Sequence, residues 1–180
     1  NIDNPASNRF DDLLCVVTDS YIKVYGGTTD PGTHWTQENK DKYGINDDVH
    51  VCLGFYKDVY QVGTHRGYRA LVQSGNKINW FKDKNHNGKI DSDEKTVSGY
   101  GGLNYHTIGN PEKLKVAVRA EVNFSSAGCQ VHENQDNFEE VMNIVLNTNK
   151  YKKNSKACFS YLLAAKEEFP FYTQLLKLKK

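Results

Sequence analysis

Leu13-Leu14-Cys15-Val16-Val17, then Asp19-Ser20, then Tyr21-Ile22-Lys23-Val24-Tyr25 is the stretch on which the fold class turns. Two short runs of aliphatic, β-branched and aromatic residues flank an Asp-Ser turn signal, the pattern of an antiparallel hairpin. The same pattern recurs along the chain. Thr28-Thr29-Asp30-Pro31-Gly32 opens a loop in which proline presets a turn and glycine frees it. Further strands are expected over 49–55, 60–64, 70–73, 77–82, 103–106 and 158–163, while 36–48 is polar and turn-rich. One helix stands out at 136–147, where Phe138, Val141, Met142, Val145 and Leu146 share a face and Asp136 is the expected cap. Pro170 inside 167–178 predicts a short broken helix at the end. With no repeat or linker, the expectation is one mainly β (β-rich α+β) domain over 1–180, its core at about 10–165 and 166–180 a C-terminal tail.

At 180 residues the chain can bury a core without disulfide support. Twenty-three Lys and Arg against 22 Asp and Glu leave a net charge of +1, so no nucleic-acid or polyanion signature is present. Lys177, Lys179 and Lys180 read as a solvated tail. Eleven Tyr and eight Phe beside one Met suit a sheet-rich protein with aromatic surfaces. No apolar run reaches the length of a membrane span, and no signal peptide is legible; a start at Asn1 suggests processing or trimming. Cys15, Cys52, Cys129 and Cys158 contain no CxxC pair, which argues against a cysteine zinc site and a compact disulfide framework. A Cys15–Cys52 bridge in an oxidising compartment and buried free thiols both remain open, and Cys158, inside Ala157-Cys158-Phe159, is expected in the core.

The residues that carry chemistry are Asn104-Tyr105-His106-Thr107 and, downstream, Ser125-Ser126-Ala127-Gly128-Cys129-Gln130. An imidazole near a thiol stabilises the thiolate, and small neighbours leave room for a carbonyl substrate. Gly128 lets the chain turn tightly and aim amide N–H groups at a developing oxyanion. His106 precedes Cys129 by 23 positions, the reverse of the papain-like order. The ordinary reading of such a pair is coincidence, with the thiol buried as a small hydrophobe. The crowd of small residues around one thiol favours the chemical reading.

Asp83-Lys84-Asn85-His86-Asn87-Gly88-Lys89-Ile90-Asp91-Ser92-Asp93-Glu94 fits the calcium loop of an EF-hand place by place. Asp83, Asn85, Asn87, Asp91 and Glu94 would supply side-chain oxygens, and Lys89 its carbonyl. The flanking helices are missing, since Ile78-Asn79-Trp80-Phe81 reads as a strand. The expectation is an isolated Ca²⁺ loop that stiffens the chain ahead of His106, weakened by two neutral Asn ligands. A solvated turn between strands is the simpler alternative.

Taken in order, Thr28–Gly32, Tyr60-Gln61-Val62-Gly63-Thr64-His65, Ala70-Leu71-Val72-Gln73, the Asp-rich loop, Gly102-Leu103-Asn104-Tyr105-His106 and Ser126-Ala127-Gly128-Cys129-Gln130 resemble an L,D-transpeptidase (YkuD-type)-like group of bacterial and phage cell-wall proteins. The resemblance spans about Phe10 to Ala165. It implies a YkuD-like β-sandwich or barrel with one or two helices packed on it. Cys129 then matches the nucleophile acylated by a peptidoglycan stem peptide, His106 the upstream histidine, and Ser126 and Gly128 the small residues of the centre. The chain departs from the family pattern at Ala127, where the family has His, at Val131, where Arg is common, and in its longer His-to-Cys interval. Transpeptidase, carboxypeptidase and endopeptidase share the same acyl-enzyme, which passes to an amine or to water.

The resemblance implies a periplasmic, secreted or virion-associated protein whose partner is the peptidoglycan stem peptide, with no nucleic acid and no membrane span. His65 and Arg66 are candidates for the substrate cleft, because guanidinium pairs with carboxylates in bidentate fashion. His132 competes with His106 for the role of base, its direction unreadable from alternation alone. His34 and Trp35 form a loop pair suited to sugar or peptide. Two rivals stand beside this reading. A sortase-like enzyme would place an Arg after the thiol, and none lies close behind Cys129. A non-catalytic wall-binding or structural module of a phage particle or secretion system would keep the fold without needing the thiol.

Overall fold

In the computed structural model, which describes residues 8–36, 48–84, 87, 89–110, 113, 118–168 and 171–179, the expected hairpin opens the chain. β1 (Asp12–Val17) pairs antiparallel with β2 (Ile22–Thr28), and Leu14 faces Tyr25 across the ladder. Both are buried, so the inward rows of the two strands begin the core. Eight strands follow: β3 (Val49–Val51), β4 (Gly54–His65), β5 (Tyr68–Gln73), β6 (Ile78–Lys82), β7 (Val97–Gly99), β8 (Tyr105–Thr107), β9 (Gln130–His132) and β10 (Cys158–Leu163). The protein is mainly β, as its pattern predicts.

Seven strands form one curled sheet in the order β1-β2-β9-β8-β5-β4-β10, and β3-β6-β7 make a second, smaller one. The edge strands of the larger sheet, β1 and β10, line a common cleft of about 1040 Å³. Every pairing between these strands is antiparallel except β8 with β9. The single strand expected over 49–55 is two, because the chain changes sheet between Val51 and Gly54. Gly54, at φ +152°, makes that change, and Tyr56 Oη donates back to Cys52 O at 2.6 Å. β7 and β9, three residues each, carry too little pattern to be read from the sequence.

The helix spans Gln135–Asn147 and buries Phe138, Val141, Met142 and Val145 against β8 and β9. Each such side chain contributes roughly 1.5–3 kcal/mol through burial. Leu146 is only partly buried. The cap is Asn134 rather than Asp136: its extended backbone lets Oδ1 accept from Asp136 N–H at 2.8 Å and Asn137 N–H at 3.1 Å. Asp136 sits inside the first turn, where its charge complements the helix dipole.

The tail forms a 3-10 turn at Lys166–Glu168 and a short helix at Tyr172–Leu176; Pro170 and Lys180 lie outside the described residues. All four cysteines are free thiols, with Cys15 exposed and unbridged to Cys52. Cys158 is partly buried rather than a core residue, because β10 is an edge strand with no inward row fully covered. No helix among the described residues is long and apolar enough to cross a membrane.

Candidate functional site

The parallel pair β8–β9 builds the site. Its register sets Tyr105 beside Gln130, His106 beside Val131 and Thr107 beside His132. Gln130 N–H donates to Asn104 O at 2.9 Å, so Cys129 lies one place before the ladder, abreast of Asn104. Side chains alternate along a strand, which puts Cys129, Asn104 and His106 on one face and Gln130, Tyr105 and His132 on the other. The second face is the core: His132 is fully buried, its Nε2 2.6 Å from Tyr105 Oη and its ring among Tyr25, Tyr105 and Phe138. His132 is a core histidine, and His106 alone of the two stands on the thiol's side.

His106 is held in one tautomer. Its Nδ1 lies 2.7 Å from Thr107 O, a group that only accepts, so Nδ1 carries the proton and Nε2 keeps the lone pair. Tyr68 Oη reinforces the arrangement, 2.9 Å from the same Nδ1 and donating to Thr107 O at 3.1 Å. His65, at the end of β4, stacks on the His106 ring with centroids 4.3 Å apart and planes 19° from parallel. Asn104 Nδ2 donates to His65 Nδ1 at 3.1 Å, which turns the remaining N–H of His65 outward from that bond. Asn104 is a site residue that the sequence displays but whose role it hides. Tyr68 is another, legible only once 66–67 is recognised as a two-residue hairpin turn.

That turn joins β4 to β5 with Arg66 at φ +47° and Gly67 at φ +87°, both left-handed. Left-handed backbone disfavours a side chain, so Arg66 is held where the hairpin, not its own preference, puts it. A cleft of about 290 Å³ runs beside the imidazoles, lined by His65, Arg66, Tyr68, His106, Lys113 and Arg119 among others. Among the described residues its charged lining is cationic, with no carboxylate. Lys113 and Arg119 were not singled out by sequence, because they fall between the two motifs and belong to neither.

The turn Ser126-Ala127-Gly128-Cys129 is fixed from inside. Ser126 Oγ accepts from Gly128 N–H at 3.0 Å and donates to Cys129 O at 2.8 Å, so buried Ser126 builds the turn instead of facing substrate. Gly128 has φ +121°, and a Cβ there would fall 2.5 Å from Val49 O. Only glycine fits. Its N–H is engaged by Ser126, leaving the Cys129 amide, which no described residue accepts from, as the available N–H beside the thiol.

Cys129 itself is partly buried, packed on the cluster of Phe10, Ile108, Val122 and Val131. Its Sγ lies 3.7 Å from Gly102 O, and neither imidazole hydrogen-bonds to it; the sulfur does not line the cationic cleft. Burial pushes the thiol pKa up, against the Asn104 backbone N–H and the Arg66 charge, which pull it down. Burial, helped by His65, pushes His106 down to about 3. The resting pair is therefore neutral thiol and neutral imidazole, not a thiolate–imidazolium pair.

The Asp-rich loop is closed by its own hydrogen bonds. Buried Glu94 accepts from Lys84 N–H at 2.6 Å and Asp91 N–H at 3.0 Å; Asp83 Oδ1 accepts from Asn87 N–H at 3.2 Å. Asn87 Nδ2 donates to Asp91 Oδ2 at 2.8 Å, and Lys89 N–H to Asn87 Oδ1. Asn85 lies outside the described residues. Comparison of the chain with protein-family models, with curated proteins and with solved structures finds no match in any of the three.

Proposed function

We propose that this protein is a peptidoglycan-acting cysteine enzyme that forms a Cys129 thioester on stem peptides, in the manner of the L,D-transpeptidase-like group. The reading is supported above all by the parallel β8–β9 register, which sets His106 and Cys129 on one face with His106 Nε2 as the available base. The Cys129 S–H proton passes to Nε2 as sulfur attacks the carbonyl carbon, forming a C–S bond and an oxyanion at the Cys129 amide. Collapse breaks the C–N bond, and the leaving amine takes the proton from His106. Water or a second stem amine then cleaves the thioester, giving hydrolysis or crosslink exchange. His65 and Arg66 bind the peptide, Arg66 by pairing with a stem carboxylate. Such a protein works in the periplasm, outside the cell or on a virion, and a Ca²⁺ in the loop from Asp83 to Glu94 would brace it without entering the chemistry.

Because both groups rest neutral, the proton transfer belongs to the encounter with substrate. The test is mass spectrometry of muropeptides after incubation of the full chain with purified sacculi. Expected are trimmed or re-crosslinked stems, lost in Cys129→Ala and slowed about 10²–10⁴-fold in His106→Ala. Unchanged product with Cys129→Ala would end the reading. The absence of a hydrogen bond between sulfur and imidazole favours, as the second reading, a wall-binding or structural module of a phage particle or secretion system. That module would still sediment with sacculi when Cys129 is replaced, yet release no product.

A further inference from the structure

The end of the β3–β6 ladder carries a buried constellation that the Cys129 chemistry does not use. Asp48 stands immediately before β3 and Asp83 immediately after β6, and Asp83 N–H donates to Asp48 O at 2.9 Å. His50, two residues on from Asp48 along extended chain, projects to the same side. One donor atom from each of the three lies within 4.8 Å of the other two, and the residues are 4%, 6% and 2% exposed for Asp48, His50 and Asp83.

His50 is set in the way metal-binding imidazoles are. Its Nδ1 lies 3.2 Å from Asp30 Oδ1, an arrangement that commits the Nδ1 proton to a carboxylate and leaves the lone pair on Nε2. Phe81 stacks on the ring, centroids 5.4 Å apart, and fixes its plane. Buried Nε2 has no hydrogen bond among the described residues and faces Asp83 Oδ2 at 3.7 Å. A direct N–H···O bond would be about 2.7–3.2 Å. Two ligands on one small cation, bonded at about 2.0–2.1 Å, stand roughly 3.0–3.4 Å apart, so the His50–Asp83 pair needs only a slight contraction to share one.

We propose that Asp48, His50 and Asp83 bind one divalent transition-metal ion, Zn²⁺ foremost, through His50 Nε2 and the two carboxylates. One nitrogen and two carboxylates suit Zn²⁺, whereas Ca²⁺ takes oxygen alone. The set is separate from the calcium pattern of the Asp-rich loop and shares only Asp83, whose Oδ1 holds Asn87 N–H while Oδ2 turns to His50. The ion would tie that loop to β3. Val49, between two of the ligands, is the residue against which Gly128 rests, so the ion would also steady the turn that carries Cys129. The competing occupant is a proton. Burial lowers the His50 pKa, but the Asp30 hydrogen bond and the Asp30, Asp48 and Asp83 charges outweigh it and raise the net value.

The experiment is titration of the chelator-stripped full chain with Zn²⁺ and, separately, Ca²⁺, followed by calorimetry and thermal denaturation. Expected is one Zn²⁺ per chain with a raised Tm, Zn²⁺ affinity falling at least tenfold in His50→Gln and Asp48→Asn, and no change in Asp91→Asn or Glu94→Gln. Zn²⁺ that fails to bind the folded wild type, or that binds His50→Gln as well, overturns the site. Should the buried variants not fold, Co²⁺ spectra of the wild type decide instead. Tetrahedral d–d bands without thiolate charge transfer, displaced by Zn²⁺, support the site, and a thiolate band or no spectrum overturns it.

Discussion

His106 donates its Nδ1–H to Thr107 O and keeps the lone pair on Nε2, with a pKa lowered to about 3 by burial. A base must be unprotonated to act, so in the proposed reaction the charge state of His106 would not limit the rate anywhere above about pH 4. The raised thiol has a visible consequence. At pH 7.5, iodoacetamide should alkylate Cys129 more slowly than a short cysteine peptide, the rate climbing about tenfold per pH unit until the thiol titrates, as mass spectrometry would record. Rapid alkylation at neutral pH would mean a preformed thiolate and contradict the neutral pair. Tyr68→Phe removes the hydroxyl that touches both His106 and Thr107 O and should cost about 1 kcal/mol in urea unfolding. Gly128→Ala is harsher: left-handed backbone and the approach of Val49 O should together cost about 2 kcal/mol or more by the same measurement.

Among the elements, β8 and β9 matter most and were the least legible as a pair. The segment around His106 could be read as a strand, but Gln130–His132 is three residues long, below the length at which alternation identifies anything. Their parallel register decides which histidine shares the thiol's face, and no local pattern encodes a register between segments this far apart. The helix is the opposite case. Its buried row, Phe138, Val141, Met142 and Val145, is written at helical spacing and is present in the fold. Leu146 falls at the edge of that face, partly buried, and the cap moved from Asp136 to Asn134, because capping depends on backbone angles that residue type does not settle. Asn134→Ala should therefore lower stability by about 1 kcal/mol, and Asp136→Ala by less, in paired denaturant melts; equal losses would restore Asp136 as the cap.

For the whole molecule, two imidazoles are sealed neutral in the fold, His106 and His132, each with a pKa of about 3 against 6.5 unfolded. Below pH 6.5 the unfolded chain binds protons that the native one refuses, so stability is full above that pH and falls as acid is added. Between pH 5.5 and 4.5 the two should contribute a slope of roughly 2.7 kcal/mol per pH unit, two protons' worth. His132→Phe should remove about one proton from that slope in urea melts across the interval. An unaltered slope would show that His132 is not buried neutral. His50 runs the other way, its raised pKa giving stability that is present below pH 6.5 and lost as pH climbs through the folded value.

The β-rich class, the opening hairpin, the helix face and the two motifs could all be read from residue order, because each depends on neighbours within a few positions. Gly128, Cys129 and His106 were visible for the same reason. Tertiary structure alone put His106 rather than His132 on the thiol's face, supplied Thr107 O and Tyr68 as its holders, brought in His65 and Asn104, and gathered Asp48, His50 and Asp83. These juxtapositions come from strand pairing and sheet curl between distant segments, and such pairing is set by the packing of the whole core rather than by any local stretch.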